Sequence, residues 1–173
     1  MSIKVKYTNK SAAKPTSNIV LFCGGEYKIN YLNKYLSKTE FNYISDLLKT
    51  SDLKKSFLTF NINSKKKIIL ISLKKDAKLF DVENIGAEFY KSINYGKSTE
   101  YFIISDSVES KLDNFLIHFI HGLKLKSYEF KKYKSKKENR IITISVSGKN
   151  NPSSKIQSRF NALEEGIFYA RDL

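Results

Sequence analysis

The chain has 173 residues, 41% of them hydrophobic, with 12 Phe and 11 Tyr, which excludes a disordered polypeptide and fits one domain with a sizeable core. No apolar run approaches the roughly 20 residues that span a bilayer, no signal-peptide pattern opens the chain, and the single Cys23 cannot form an internal disulfide. The expectation is a cytoplasmic protein with no membrane partner. The net charge of +14 is carried almost wholly by lysine; only Arg140, Arg159 and Arg171 are arginine. Lysine spread over every solvated face accounts for it, as does an electrostatic footprint for nucleic acid, although arginine, which grips phosphate and guanine bidentately, is scarce.

Residues 3–7 alternate apolar and polar and read as a strand, followed by a polar loop with Pro15. The apolar run 19–23 reads as a buried strand ending in a tight turn at Gly24-Gly25; as a phosphate cradle the pair lacks both a GxGxxG spacing and a helix start. Ser37-Lys-Thr-Glu40 is a capping box, and Phe41, Ile44, Leu47 and Leu48 mark one face of the helix it opens. Residues 57–62 and 67–73 read as two strands of an antiparallel hairpin. Asp81 is the expected N-cap of a helix striped by Val82, Ile85, Phe89 and Ile93, with Gly96 at its end and Gly86 marking close approach to a sheet.

Residues 101–104 form another buried strand, Asp106 with Glu109 repeats the capping pattern, and Leu112, Phe115, Leu116, Phe119, Ile120 and Leu123 stripe the next helix. In the strand 140–147, Ile142, Ile144 and Val146 share one face and Thr143 and Ser145 the other, so it is expected to be half exposed. After a turn-rich loop with Pro152, a last helix carries Ile156, Phe160, Leu163, Ile167 and Ala170 on one stripe. Strands alternating with helices, plus one hairpin, predict a three-layer αβα fold around a mixed sheet, as a single domain over residues 1–173.

No self-evident catalytic constellation appears. His118 and His121 stand at i, i+3 and could share a metal, but no Cys or carboxylate at ligand spacing joins them, and both lie off the apolar stripe, so solvent-facing rings are expected. Cys23 has no identifiable base and reads as a buried, inert thiol. Asp106 ends a strand where α/β ligands usually bind, yet helix capping explains it. Lys124, Lys126, Lys131, Lys132, Lys134 and Lys136 interleave with Tyr128, Phe130 and Tyr133. They are the candidate nucleic-acid contacts; in the alternative, the aromatics anchor the segment inward and the lysines stay solvated.

Two segments carry a resemblance. Gly122-Leu-Lys-Leu-Lys-Ser-Tyr-Glu-Phe-Lys-Lys-Tyr-Lys is similar to the G-L-x-L-x-S-Y-x-F-x-x-Y-K segment near the end of the N-terminal domain of leucyl aminopeptidases, a metallopeptidase family. Gly166-Ile-Phe-Tyr-Ala-Arg-Asp-Leu resembles the G-x-x-x-A-R-D-L helix that leads into that family's catalytic domain. The matching positions are Gly122, Ser127, Tyr128, Phe130, Tyr133, Arg171 and Asp172, read as structural.

The resemblance covers essentially the whole chain and implies a macro-domain-like fold, inactive alone, with residues 152–173 leading toward a C-terminal catalytic domain as its partner. In such a parent, that domain binds two divalent metals, Zn or Mn, removes N-terminal residues from peptides and assembles as a hexamer. Its metal ligands include a stretch like N-T-D-A-E-G-R, which does not occur in this sequence, so no catalytic or metal residue carries over. Some members bind DNA partly through N-terminal domains, which leaves DNA as a partner open. A nucleic-acid-binding module and a macro-domain-like binder of ADP-ribose-type ligands are the alternatives.

Overall fold

The computed structural model describes residues 3–8, 17–74, 76–107, 114–130 and 140–173. Strands β1 (Ile3–Thr8), β2 (Asn18–Gly24), β3 (Phe57–Asn61), β4 (Lys67–Leu73), β5 (Glu100–Ile104) and β6 (Ile142–Ser147) form one sheet in the order β1-β6-β5-β2-β4-β3. Neighbours are parallel except for β3, which turns back on β4 with Phe57 opposite Ile71 and Asn61 opposite Lys67. Among the described strands the hairpin thus supplies the antiparallel edge, and Asn63 Oδ1 closes its turn by accepting from the N–H groups of Lys65 and Lys66.

Helices α1 (Lys38–Leu48), α2 (Leu79–Asn94), α3 (Phe115–Lys126) and α4 (Ser154–Asp172) complete the described elements. Two cores follow from the period-2 alternation of the strands. Val20, Phe22, Ile69, Ile71, Ile103, Ile142, Ile144 and Val146 point to the face covered by α2 and α3. Ile19, Leu21, Ile68 and Leu70 point to the other, covered by α1 and the 3-10 turns before it. The result is a three-layer α/β fold with a mixed sheet. Thr143 and Ser145 stay half exposed, as their alternation with Ile142 and Ile144 requires.

The capping box at Ser37 forms as expected: Ser37 Oγ accepts from Glu40 N–H at 3.2 Å and Glu40 Oε2 accepts from Ser37 N–H at 2.9 Å. Several local expectations need correction. Asp81 is not the cap of α2 but lies one turn in, where its carboxylate accepts from Lys78 N–H at 2.8 Å. The turn after β2 takes its positive φ at Glu26 and Tyr27 rather than at Gly24-Gly25, and Tyr27 is fixed there by donating its hydroxyl to Lys55 O at 2.8 Å. Gly86 marks close approach to a helix, not a sheet: a Cβ there would lie 2.1 Å from the carbonyl oxygen of Phe119 on α3. Gly122 returns the contact, its Cβ position falling 1.9 Å from Glu83 O on α2. The glycine pair lets the two helix backbones touch, which puts Phe89 and Phe119 at a centroid distance of 5.7 Å beneath them.

Candidate functional site

Helix α3 is buried along most of its length because the sheet, α2 and α4 surround it. That explains a further correction. His118 and His121 lie off the sheet-facing stripe, but the flank they occupy is covered by α4 and α2 rather than by water. His121 is buried, its Nδ1 3.0 Å from Glu164 Oε1, and His118 is half-buried, its Nδ1 2.6 Å from Glu83 Oε1. A carboxylate only accepts, so Nδ1 carries the hydrogen in both rings. The Phe160 ring meets both imidazoles edge-on, at 4.9 and 5.2 Å. The two histidines therefore serve separate carboxylates and share no ligand. Among the described residues, no group of three or more His, Cys, Asp or Glu comes together to hold a metal.

Glu164 is the centre of this seam. It is 2% exposed, and its second oxygen receives Lys124 Nζ at 2.7 Å, while Asn161 Oδ1 accepts from the same ammonium at 2.9 Å. Burying the carboxylate costs several kcal/mol in principle, and the lysine and histidine offset that cost only because both reach it with hydrogen-bond geometry. Tyr7 of β1 flanks the cluster; burial, and then the charge of Glu164, push its phenol well above the usual range.

One turn further on, the two segments that carry the resemblance meet. Tyr128 donates its hydroxyl to Asp172 Oδ1 at 2.6 Å and stacks on Phe168 at 5.5 Å. Arg171 lies 5.4 Å from the Tyr128 ring centroid and donates to Leu125 O at 3.1 Å. Ser127 is buried and ends α3 by donating its hydroxyl to Lys124 O at 2.7 Å. Gly122, Ser127, Tyr128, Arg171 and Asp172 are thus consumed by helix packing, while Phe130 is exposed.

Of the candidate nucleic-acid contacts, Lys126 is exposed, but Lys124 is buried and its ammonium is spent on Glu164 and Asn161, which removes it as a surface phosphate contact. Lys131, Lys132, Lys134 and Lys136, with Tyr133, lie outside the described residues, as do Glu109 and Leu112.

At the carboxyl ends of the parallel strands, where α/β ligands commonly sit, described residues bond to one another. Asp106 Oδ1 accepts from the N–H groups of Lys149 and Asn150 at 2.7 and 3.1 Å, tying the loop after β6 to the end of β5. Gly148, at φ 135°, makes this possible, since a Cβ there would meet Ser105 Oγ at 2.4 Å. Tyr35 donates to Asp106 O at 2.7 Å, Tyr31 donates to Phe22 O at 3.0 Å, and Ser107 Oγ accepts from Phe22 N–H at 3.0 Å. Through Oδ1, Asp106 thus serves as a loop tether.

Sequence reasoning missed Glu164, Asn161 and Glu83. The available signal was Phe160-x-x-x-Glu164-x-x-x-Phe168, an acid in register with two aromatics four residues to either side, which places it on an inward face.

No protein-family model matches the chain. A "Probable cytosol aminopeptidase" from Clostridium perfringens (strain 13 / Type A) is 34% identical over 158 residues, covering 84% of this chain. The chain spans only 30% of that relative's length. Among solved structures, a tomato leucine aminopeptidase variant aligns over 96% of this chain and 36% of its own, with a TM-score of 0.70 at 12% identity. The bottromycin maturation enzyme BotP, in complex with Mn, aligns over 92% and 32%, with a TM-score of 0.63 at 11% identity. The sequence match to an aminopeptidase, the shared fold and the short span on each of them agree with the two motif segments that meet at the α3–α4 seam: the chain corresponds to the N-terminal domain of the leucyl aminopeptidase family.

Proposed function

We infer that the chain acts as a non-catalytic domain of a cytoplasmic two-metal aminopeptidase, contributing to assembly and to access to the active site rather than to bond cleavage. The observation that carries this reading is the use to which the family-like residues are put. Tyr128, Arg171 and Asp172 join α4 to the end of α3, Gly122 seats α3 on α2, Ser127 closes the last turn of α3, and among the described residues none is gathered with other donors into a metal-holding group. Metal-assisted hydrolysis needs a Lewis acid and an oriented water, and the described residues do not fit a metal pair, so the metals belong to the rest of such a parent.

The outer face of α4 supports a partner domain. Leu163, Tyr169 and Leu173 are exposed there, and Gly166 has open space where a side chain would be. A helix that turns a glutamate inward and large apolar groups outward is patterned for cover on its outer side. No described helix is long and apolar enough to cross a membrane. The catalytic domain of the same parent is the occupant this reading assigns, with a homo-hexamer as the assembled state.

The test is to delete the matched segment from the Clostridium relative. The remaining protein should retain its metals and still hydrolyse leucine p-nitroanilide, with altered assembly mass and altered selectivity for longer peptides. A folded, metal-loaded remainder with no turnover would place chemistry in this domain and overturn the reading.

A further inference from the structure

We propose that α4 is a releasable element, pinned to the folded body by the buried Glu164–Lys124–His121 cluster rather than by a hydrophobic interface. Three observations carry it. Both hydrophobic cores are complete without α4, because none of their members lies beyond Val146. Along α4, Glu164 is the one buried residue; Ile156, Phe160, Ile167 and Phe168 are only half-buried, and Leu163 and Ala170, expected to face inward, are exposed. The anchor is thus a charge, and its hold depends on partners from another helix: Lys124 Nζ at 2.7 Å and His121 Nδ1 at 3.0 Å.

An anchor of this kind behaves differently from a packed leucine. A greasy contact weakens in proportion to the area lost, whereas a buried ion pair fails abruptly when one partner goes, because the other is left charged and unpaired in a dry site. The seam also holds a polar group that its closed form does not satisfy. The Tyr7 hydroxyl is buried beside α4 with no hydrogen-bond partner among the described residues, and opening the seam would return it to water. Opening would leave the sheet covered by α1, α2 and α3, and the Gly86–Gly122 contact intact, so α4 and the body form separate cooperative units.

The test is amide hydrogen exchange on the 173-residue chain, comparing residues 160–168 of α4 with β2 and β5. In Glu164→Gln, the α4 amides should lose protection tenfold or more, while β2 and β5 amides stay slowly exchanging. Unchanged protection in α4 would show that the cluster is no pin. Loss of slow exchange in β2 and β5 together with α4 would show that α4 is integral to the fold. Lys124→Met combined with Glu164→Met separates charge from shape: apolar groups of similar length should restore α4 protection to at least the wild-type level. A double variant whose α4 exchanges as fast as in Glu164→Gln would overturn the proposal.

Discussion

Replacing Gly122 by alanine tests the α2–α3 contact on which the larger core is built. The new Cβ would sit 1.9 Å from Glu83 O, 2.6 Å from Glu83 C and 2.7 Å from Glu83 Cα. All three are backbone atoms of a helix, so no side chain can swing aside. Restoring ordinary contact requires the helices to part locally by about 1.5 Å, and a gap of that order forfeits much of the dispersion energy across the seam. The loss falls on the fully buried Phe89 and Phe119 beneath it. Overpacking typically costs about 1–3 kcal/mol, and a backbone-to-backbone clash belongs at or above the upper end. Alanine's helix preference returns about 1 kcal/mol, leaving a net loss of about 2 kcal/mol or more.

For a chain of this size that net loss lowers Tm by about 4–8 °C. Gly166→Ala is the internal control, since its Cβ would meet nothing within 4 Å. There the helix preference acts alone and should stabilise by about 0.5–1 kcal/mol. Thermal and urea unfolding followed by circular dichroism at 222 nm reads both. A Gly122→Ala protein as stable as Gly166→Ala would refute the close-packed seam.

Phe119→Ala should cost about 3–5 kcal/mol in urea unfolding, because the ring is fully buried and meets Phe22 edge-on at 5.3 Å. Burial pushes the Cys23 thiol up to about 12, so a thiol reagent at pH 8 should modify it only after denaturation, and rapid labelling of folded protein would contradict its placement. Burial raises the Glu40 carboxyl, but Lys66 Nζ, 2.6 Å away, and the Ser37 hydroxyl and N–H outweigh it and hold it below its usual range. The stability this confers is present above about pH 4.3 and is lost as pH falls through the lowered folded value. Lys66→Met should therefore be less stable than wild type at neutral pH, with the gap closing in acid; a pH-independent gap would count against the pair.

The alternation of residues 142–147, the capping box at Ser37 and the hairpin between β3 and β4 were legible because each is a local pattern with a local cause. Close approach at Gly86 was legible only by half. A glycine on an apolar stripe signals contact, but that the contact is a second helix depends on Gly122, thirty-six residues away in sequence. The histidines were misread because periodicity identifies one buried face, and α3 is covered on several. Arg140 shows the same limit: its guanidinium donates to the carbonyls of Ile93 and Asn94 in the last turn of α2 and of Ser98 after it, a cap supplied from just before β6 that no local pattern announces. The seam residues Glu164 and Lys124 were unreadable as a pair because forty residues separate them and each is ordinary on its own helix. The described parts of the two motif segments, by contrast, do come together in the fold, through Tyr128, Arg171 and Asp172.

The most direct test of the central claim is an activity and metal-binding assay on the 20.0 kDa chain itself. Purified protein, dialysed against Mn²⁺ or Zn²⁺ and offered leucine p-nitroanilide, should retain no stoichiometric metal and hydrolyse no faster than a metal-only blank. Metal-dependent turnover that copurifies with the folded chain and disappears on unfolding would contradict the account.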